Sequence, residues 1–429
     1  MLLQFSVENF KSFKDKAVLS LEASSDKNLL ESTTIVKNER LLNSVGIFGS
    51  NASGKSNLFN AITAAILTIR WSSNKQHGQL LETIIPYKFR KNAYDIPTSF
   101  EFIYYGPNQK KYIYGFSATQ KKIFTEYLYK YDSVKPTTIF DRDINREVEY
   151  KFTVPGLKTD LEAIKERNDE NKLFLATAAQ WNNKEAKDAI DWFLYHIDVH
   201  ATNMDYLLKY SGKYFEHDTN NTLKKFTNKL LEKSDINITD FNFKAENLPG
   251  SQMKNNLFAN NIDPNSFQDN SIYKNYTVNT KHVVLNEDST KDNYELSLFE
   301  ESLGTRTLFL LSPILQKAFN NGEVVCIDEF DNSLHPMLTI FLISLFNDKR
   351  LNTADAQLIV SSHTLEMMSD KLLRRDQIYF VDKNRNTASS ELYSLDDYSV
   401  RHNVDRRKAY LLGRFNSVPN ILSGEMLWR

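Results

Sequence analysis

The 429-residue chain contains a single cysteine, Cys326. One thiol excludes an intrachain disulfide framework and a cysteine-based zinc site. It stands in an apolar run, where cysteine usually acts as a small hydrophobe. No run of about 18 apolar residues is present to span a bilayer. The opening MLLQFSVENFKSF carries acid and amide where a secretory leader needs a basic start and a clean apolar stretch. A soluble, cytoplasmic protein without membrane contact is therefore expected. Neither sign of charge is in excess, with 53 Lys plus Arg against 54 Asp plus Glu. Net charge thus gives no footprint for nucleic acid, although a local basic patch stays open. No heptad pattern persists over several repeats, which argues against a long coiled-coil arm. No internal repeat is visible. Apolar residues nevertheless make up 41 % of the chain, enough for a sizeable core, and the length suggests two or three domains.

Leu3 to Val7 alternates as a strand does, NFKSF turns the chain, and Val18 to Leu21 returns it. Ser44 to Phe48 reads as a short buried strand, followed by a Gly/Ser/Asn loop and helical spacing from Lys55 to Arg70. Between Pro86 and Phe140, bursts of aromatic and β-branched residues (SFEFIYY, YIYGF, EYLYKY, TIF) predict an antiparallel meander, with Gly106 and Gly115 at breaks. Helices are expected over Leu161–Gln180, Lys184–Tyr195 and Thr222–Leu231. The Asn/Ser/Asp-rich stretch 245–280 reads as loop, and Asn237 to Lys281 as poorly ordered or strongly exposed. Order resumes with a helix over Leu303–Phe319, strand Val324–Ile327, helix Pro336–Phe346 and strand Gln357–Ser361, which implies a parallel sheet. The expected divisions are 1–145, a mainly helical insertion 146–289, and 290–429.

Four motifs carry chemistry. Gly49-Ser50-Asn51-Ala52-Ser53-Gly54-Lys55-Ser56 matches G-x-x-x-x-G-K-[ST], with Asn57 next on the helix. Its glycines let successive backbone N–H groups face phosphate oxygens, and the following helix offers its N-terminus to the same anion. Lys55 would reach the β- and γ-phosphates of ATP, and Ser56 would ligate Mg2+. The second motif, Val324-Val325-Cys326-Ile327-Asp328-Glu329, is a buried strand delivering carboxylates to a sheet's C-terminal edge, where ligands bind. Asp328 would hold the metal, and Glu329 would orient and deprotonate the attacking water. The third, Ser302-Leu303-Gly304-Thr305, opens a helix that could meet a γ-phosphate; a plain N-cap is the competing reading. The fourth, Ser361-Ser362-His363, follows a strand and presents His363 to a γ-phosphate or to the attacking water.

Together these motifs resemble the ABC-type head of SMC, RecF and overcoming-lysogenization-defect (OLD) proteins. GSNASGKS looks like their Walker A, with Asn51 in the usual place. CIDEF looks like Walker B with its catalytic glutamate, SLGT like a degenerate signature lacking the double glycine, and SSH like the switch histidine. FSVENFKSF is similar to their opening strand and turn, with Lys11 where a basic residue often lies near the nucleotide. Asp328-Glu329-Phe330-Asp331-Asn332-Ser333-Leu334-His335-Pro336 and the terminal Gly413-Arg414-Phe415-Asn416-Ser417-Val418-Pro419 resemble segments of the RloA/AbiL-like ATPases of bacterial defence loci. The likeness covers about residues 1–145 and 290–429, and no Q-loop glutamine is placed.

The resemblance implies an α/β fold: an ABC-type P-loop NTPase head with an antiparallel meander lobe and a parallel-sheet lobe, interrupted by a mostly helical insertion. It implies Mg2+-dependent ATP hydrolysis and a homodimer or larger homo-oligomer, in which Ser302, Gly304 and Thr305 complete the site of a second chain. Three roles stay open: a regulatory ATPase of antiviral defence controlling a separate effector, such as a Toprim-like nuclease; a RecF-type repair ATPase on duplex DNA; and a slow, nucleotide-driven assembly protein. The segment after His363 looks too short for a Toprim domain, and Asp396-Asp397 reads as a solvated turn, so the chain is not expected to be a nuclease itself.

Overall fold

The computed structural model describes residues 1–249, 252, 271–398 and 405–417. Strands β1 (Leu2–Glu8) and β2 (Ala17–Ser20) form the expected opening hairpin. A second hairpin, β3 (Thr33–Val36) and β4 (Glu39–Leu42), precedes β5 (Ser44–Phe48) and helix α1 (Lys55–Trp71). The meander follows as β6 (Thr98–Tyr105), β7 (Lys111–Ala118), β8 (Ile123–Tyr131), β9 (Thr137–Asp143) and β10 (Tyr150–Lys151). Next come α2 (Pro155–Lys165), α3 (Phe174–Gln180), α4 (Lys184–Tyr195), β11 (Ile197–His200), α5 (Met204–Glu216) and α6 (Thr222–Lys233). Strands β12 (Asp240–Pro249), β13 (Ile272–Leu285) and β14 (Lys291–Ser297) precede α7 (Leu303–Asn321). The remainder is β15 (Val324–Ile327), α8 (Pro336–Asn347), β16 (Gln357–Ser361), β17 (Ile378–Lys383), β18 (Ser390–Ser394) and α9 (Arg406–Leu411). No helix among the described residues is long and apolar enough to cross a membrane.

The chain divides into two compact units. The first comprises Met1–His200, Ala318–Asp331 and Leu342–Arg429; the second comprises Ala201–Lys317 and Asn332–Phe341. The first holds a seven-stranded antiparallel sheet, ordered β10-β9-β8-β7-β6-β1-β2, and a six-stranded sheet, ordered β11-β15-β16-β5-β17-β18. In the latter every pairing is parallel except that of the edge strand β18. One core joins the two sheets to α1, α3 and α4, with Phe5, Phe102, Tyr104, Ile62, Leu175 and Trp192 all buried. Each such side chain contributes about 1.5–3 kcal/mol by leaving water.

Three expectations about this unit need correction. The single helix over Leu161–Gln180 is two. The buried Glu126 carboxylate accepts from Phe174 N (2.6 Å), Leu175 N (2.8 Å) and Tyr114 Oη (2.9 Å), and so fixes the start of α3 after a turn. A carboxylate there satisfies N–H groups that a helix start leaves unpaired. Gly115 lies inside β7 and is no break; a Cβ there would strike the Tyr127 ring. Residues 146–200, expected with the insertion, belong to the first unit: α3 and α4 pack into its core, and β11 pairs with β15.

The second unit holds a three-stranded antiparallel sheet, β12-β13-β14, against α5 and α7. Phe309 stacks on Phe215 at 5.2 Å and meets Phe241 edge-on at 4.8 Å. Pro313 lies inside α7 and cannot donate to the carbonyl four residues back. The Ser312 hydroxyl donates to that Phe309 carbonyl instead (2.7 Å). The loop expected over 245–280 is overturned on both flanks. In β13, Tyr276, Val278 and Thr280 are buried while Asn275, Thr277 and Asn279 face outward, so polar composition marks one face of a strand. Residues 250, 251 and 253–270 of that stretch lie outside the described residues.

Candidate nucleotide site

Strand β5 is buried at all five positions and delivers Gly49 to the C-terminal edge of the parallel sheet. A Cβ on Gly49 would lie 2.8 Å from Ser53 Oγ and against the Val381 carbonyl. Gly54 has φ +117°, and a Cβ there would meet Ser12 Oγ at 2.8 Å. Both positions require glycine. Ala52 adopts φ +61°, and Asn51, Ala52 and Ser56 are exposed. Lys55 is only 6 % exposed, and its Nζ donates to Gly49 O (2.8 Å) and Ser50 O (3.1 Å). Burial lowers the pKa of this ammonium, and the nearby carboxylates of Asp328, Asp331 and Glu329 oppose that shift. Ser53 Oγ is buried within the loop and has no hydrogen-bond partner among the described residues.

Beneath the loop lies a hydroxyl network that local sequence signals do not announce. Asn57 Nδ2 donates to Ser12 Oγ (2.8 Å). Ser390 Oγ lies 2.8 Å from Ser12 Oγ and 2.5 Å from Ser53 O, and Ser390 N donates to Ser12 O (2.7 Å). Three distant segments thus fix the loop's base. Lys11, beside Ser12, has φ +46° and donates its N–H to Ile85 O (2.9 Å); partial burial lowers its pKa. In the NFKSF turn the sequence singles out Lys11 and not Ser12, and Ser390 carries no local signal.

The acidic turn is held by Ser361. Ser361 Oγ donates to Asp328 Oδ1 (2.5 Å) and accepts from Glu329 N (2.7 Å), while Phe330 N donates to Ser361 O (3.0 Å). Glu329 sits at φ +52°, a conformation a non-glycine residue keeps only when its surroundings fix it, and its side chain is exposed. Asp331, quoted in the DEFDNSLHP stretch but given no role there, accepts His363 N (2.8 Å) and Thr364 Oγ1 (2.9 Å). Strand β16 runs between β5 and β15, so the phosphate-type loop, the His363 turn and the acidic turn stand side by side at one edge.

Ser302, Gly304 and Thr305 belong to the second unit. Ser302 Oγ accepts from Thr305 N (3.2 Å) and lies 2.9 Å from Thr305 Oγ1, the geometry of an N-cap. A Cβ on Gly304 would come within 2.8 Å of Ser333 O, so this glycine admits the close approach of the Asn332–Phe341 segment. Of the terminal segment, Phe415 is buried and stacked on Phe380 at 5.1 Å, while Val418 and Pro419 lie outside the described residues.

Residues 44–369 match the family described as "AAA domain, putative AbiEii toxin, Type IV TA system". The match spans more than half of the chain. The chain belongs to this AAA-domain family. Its loop, acidic turn and strand order are those of a P-loop ATPase, and the AAA domain interrupts its sequence with the second unit. No curated protein matches the sequence. Among solved structures, this AAA-domain chain is similar to an SMC head bound to the C-winged helix domain of ScpA, at 13 % identity and TM-score 0.36, covering 92 % of this chain and 97 % of that one. It is similar to the recombination mediator RecF with ATPrS, at 13 % identity and TM-score 0.37, covering 91 % and 98 %. It is also similar to cbiO1 from Clostridium perfringens, part of the ABC transporter complex cbiONQ, at 9 % identity and TM-score 0.32, covering 97 % and 98 %.

Proposed function

We propose that the chain hydrolyses ATP with Mg2+ as a switch that closes two chains around the nucleotide. One observation carries this reading: Lys55, the Asp328–Glu329 turn and His363 stand at the C-terminal ends of three adjacent parallel strands. The loop fits a polyphosphate, since its backbone wraps through positive φ at Gly49, Ala52 and Gly54 in front of the Lys55 ammonium, and Ser53 Oγ has no partner among the described residues. Among the described residues no group of three or more His, Cys, Asp or Glu is gathered to hold a metal. Mg2+ needs none, because it binds through one or two protein oxygens together with substrate phosphates and water. Ser56 and Asp328 are the residues to hold it, and bound Mg2+ neutralises phosphate charge. Lys55 draws the β- and γ-phosphates, Gly49 and the Asn51–Gly54 backbone cradle them, Asn57 supports the loop through Ser12, and Lys11 lies near the nucleotide. Glu329 takes the proton of the attacking water, and His363, anchored through Asp331, contacts the γ-phosphate.

Ser302, Gly304 and Thr305 serve the partner chain's nucleotide. A helix N-terminus carries roughly half a positive charge and stabilises a phosphate that faces it. ATP then favours the closed dimer by differential affinity, and hydrolysis removes that bias. The family's description as a toxin of a type IV TA system supports a regulatory ATPase of antiviral defence that controls a separate effector. The shared site is tested by mixing two inactive chains. Gly304 is a poor position to alter, because any side chain there meets Ser333. Leu303→Glu places an anion at the same helix start from an exposed position. Mixed with Lys55→Ala, it regenerates one intact site per heterodimer, so partial hydrolysis returns. Heterodimers that form and stay inactive refute the shared site.

A further inference from the structure

Among the described residues, strand β14 ends the second unit's sheet, pairing with β13 on one side only. Six of its seven residues, Lys291 to Leu296, are exposed. An edge strand offers a row of backbone N–H and C=O groups to any strand laid beside it, and proteins commonly guard such edges with charged side chains, above all lysine. Here the charge is mixed and symmetric. Lys291 and Glu295 stand two residues either side of Asn293, on one face of the sheet. Among the described residues, Glu295 keeps only long or neutral contacts, at 4.0 Å to Lys281 Nζ and 3.2 Å to Asn242 Nδ2. Asp292 accepts from Asn286 Nδ2 (2.7 Å) on the opposite face, where Tyr294 is half-exposed.

We propose that β14 is a homotypic docking edge, on which the β14 of a second copy pairs antiparallel about a two-fold axis through Asn293. In that register Lys291 faces the partner's Glu295 twice over, Asp292 faces Tyr294, and Asn293 faces itself. Moving the axis to Asp292 sets two carboxylates directly opposite, and moving it to Tyr294 leaves Lys291 opposite serine. Only the Asn293 axis gives two complementary ion pairs and no like-charge pair, and such cross-strand pairs set both strength and register. The contact joins two three-stranded sheets into one of six. It does not depend on nucleotide and differs from the ATP-clamped surface. A chain with two distinct self-complementary surfaces builds assemblies larger than a dimer.

The test is sedimentation of the full-length protein without nucleotide, with disulfide trapping beside it. The parent should associate. Lys291→Glu or Glu295→Lys alone should weaken association roughly tenfold or more, and the double reversal should restore it. Asn293→Cys should form an interchain disulfide on oxidation by dioxygen, since directly opposed Cα atoms lie about 4.5–5.5 Å apart, within disulfide reach. Tyr294→Cys should not, and buried Cys326 does not compete. An Asn293→Cys chain that fails to cross-link, a Tyr294→Cys chain that cross-links as readily, or association unmoved by the single reversals would each overturn the proposal. Hydrolysis plays no part in these readouts, so a failed ATPase reading and a failed docking edge are told apart.

Discussion

The two parallel-running stories of this chain sit on two sheets of opposite character. In the first unit, β5, β15 and β16 are buried at every position, and their C-terminal ends carry the loop, the acids and the histidine. In the second unit, β14 is almost wholly exposed and β13 only half-covered. Strands buried on both faces fix a site rigidly, because one displaced residue disturbs a core on either side. A half-exposed sheet offers instead a free edge and a free face. The first arrangement suits chemistry, the second association.

Substitutions can break or sharpen that contrast. The largest effect is expected at Lys55→Ala, which should abolish ATP binding, measured by titration with a fluorescent ATP analogue, while β14-dependent association persists. Retained binding would separate the loop from the nucleotide. Glu329→Gln should keep binding and slow turnover by about 10²–10⁴, the usual worth of a general base. Parent-rate hydrolysis would return that role to another group. Ser361→Ala removes the hydroxyl shared by Asp328 and Glu329 N, and should lower kcat about tenfold with KM little changed, at a cost of about 1–3 kcal/mol in stability. A changed KM with unchanged kcat would make Ser361 a binding residue only. Glu126→Ala strips the start of α3 of its acceptor and should cost about 3 kcal/mol in chemical denaturation. The smallest effect is expected at exposed Leu285 of β13, where Leu285→Ser should shift stability by less than about 0.5 kcal/mol.

The same contrast explains what could be read from residues alone. Strands β5, β15 and β16 and helices α1 and α4 stand where periodicity puts them, because uninterrupted apolar runs and amphipathic spacing survive any tertiary context. The placement of the loop glycines, Lys55, Asp328 and Glu329 at one sheet edge was legible because a short buried strand runs into each motif. Ser390 was not: it reaches the loop's base from the far end of the chain, and long-range pairing leaves no mark on its neighbours. Asp331 was quoted for resemblance, yet its hold on the His363 backbone shows only in three dimensions. β12 and β13 hid because an outward sheet face can be as polar as a loop. The break before α3 hid because its cause, Glu126, lies on β8.

Lys55 spends its hydrogens on two carbonyl oxygens of the loop it belongs to, those of Gly49 and Ser50. An ammonium has three donors, so a third N–H stays available to a ligand while the two carbonyls hold the side chain in place. A neutral hydroxyl offers that N–H no more than the carbonyls already give, whereas an anionic oxygen adds the attraction of opposite charges to the hydrogen bond. Under the proposed function, the lysine discriminates by charge: nucleosides and sugars gain little from its remaining N–H, and a phosphate chain that reaches it gains most.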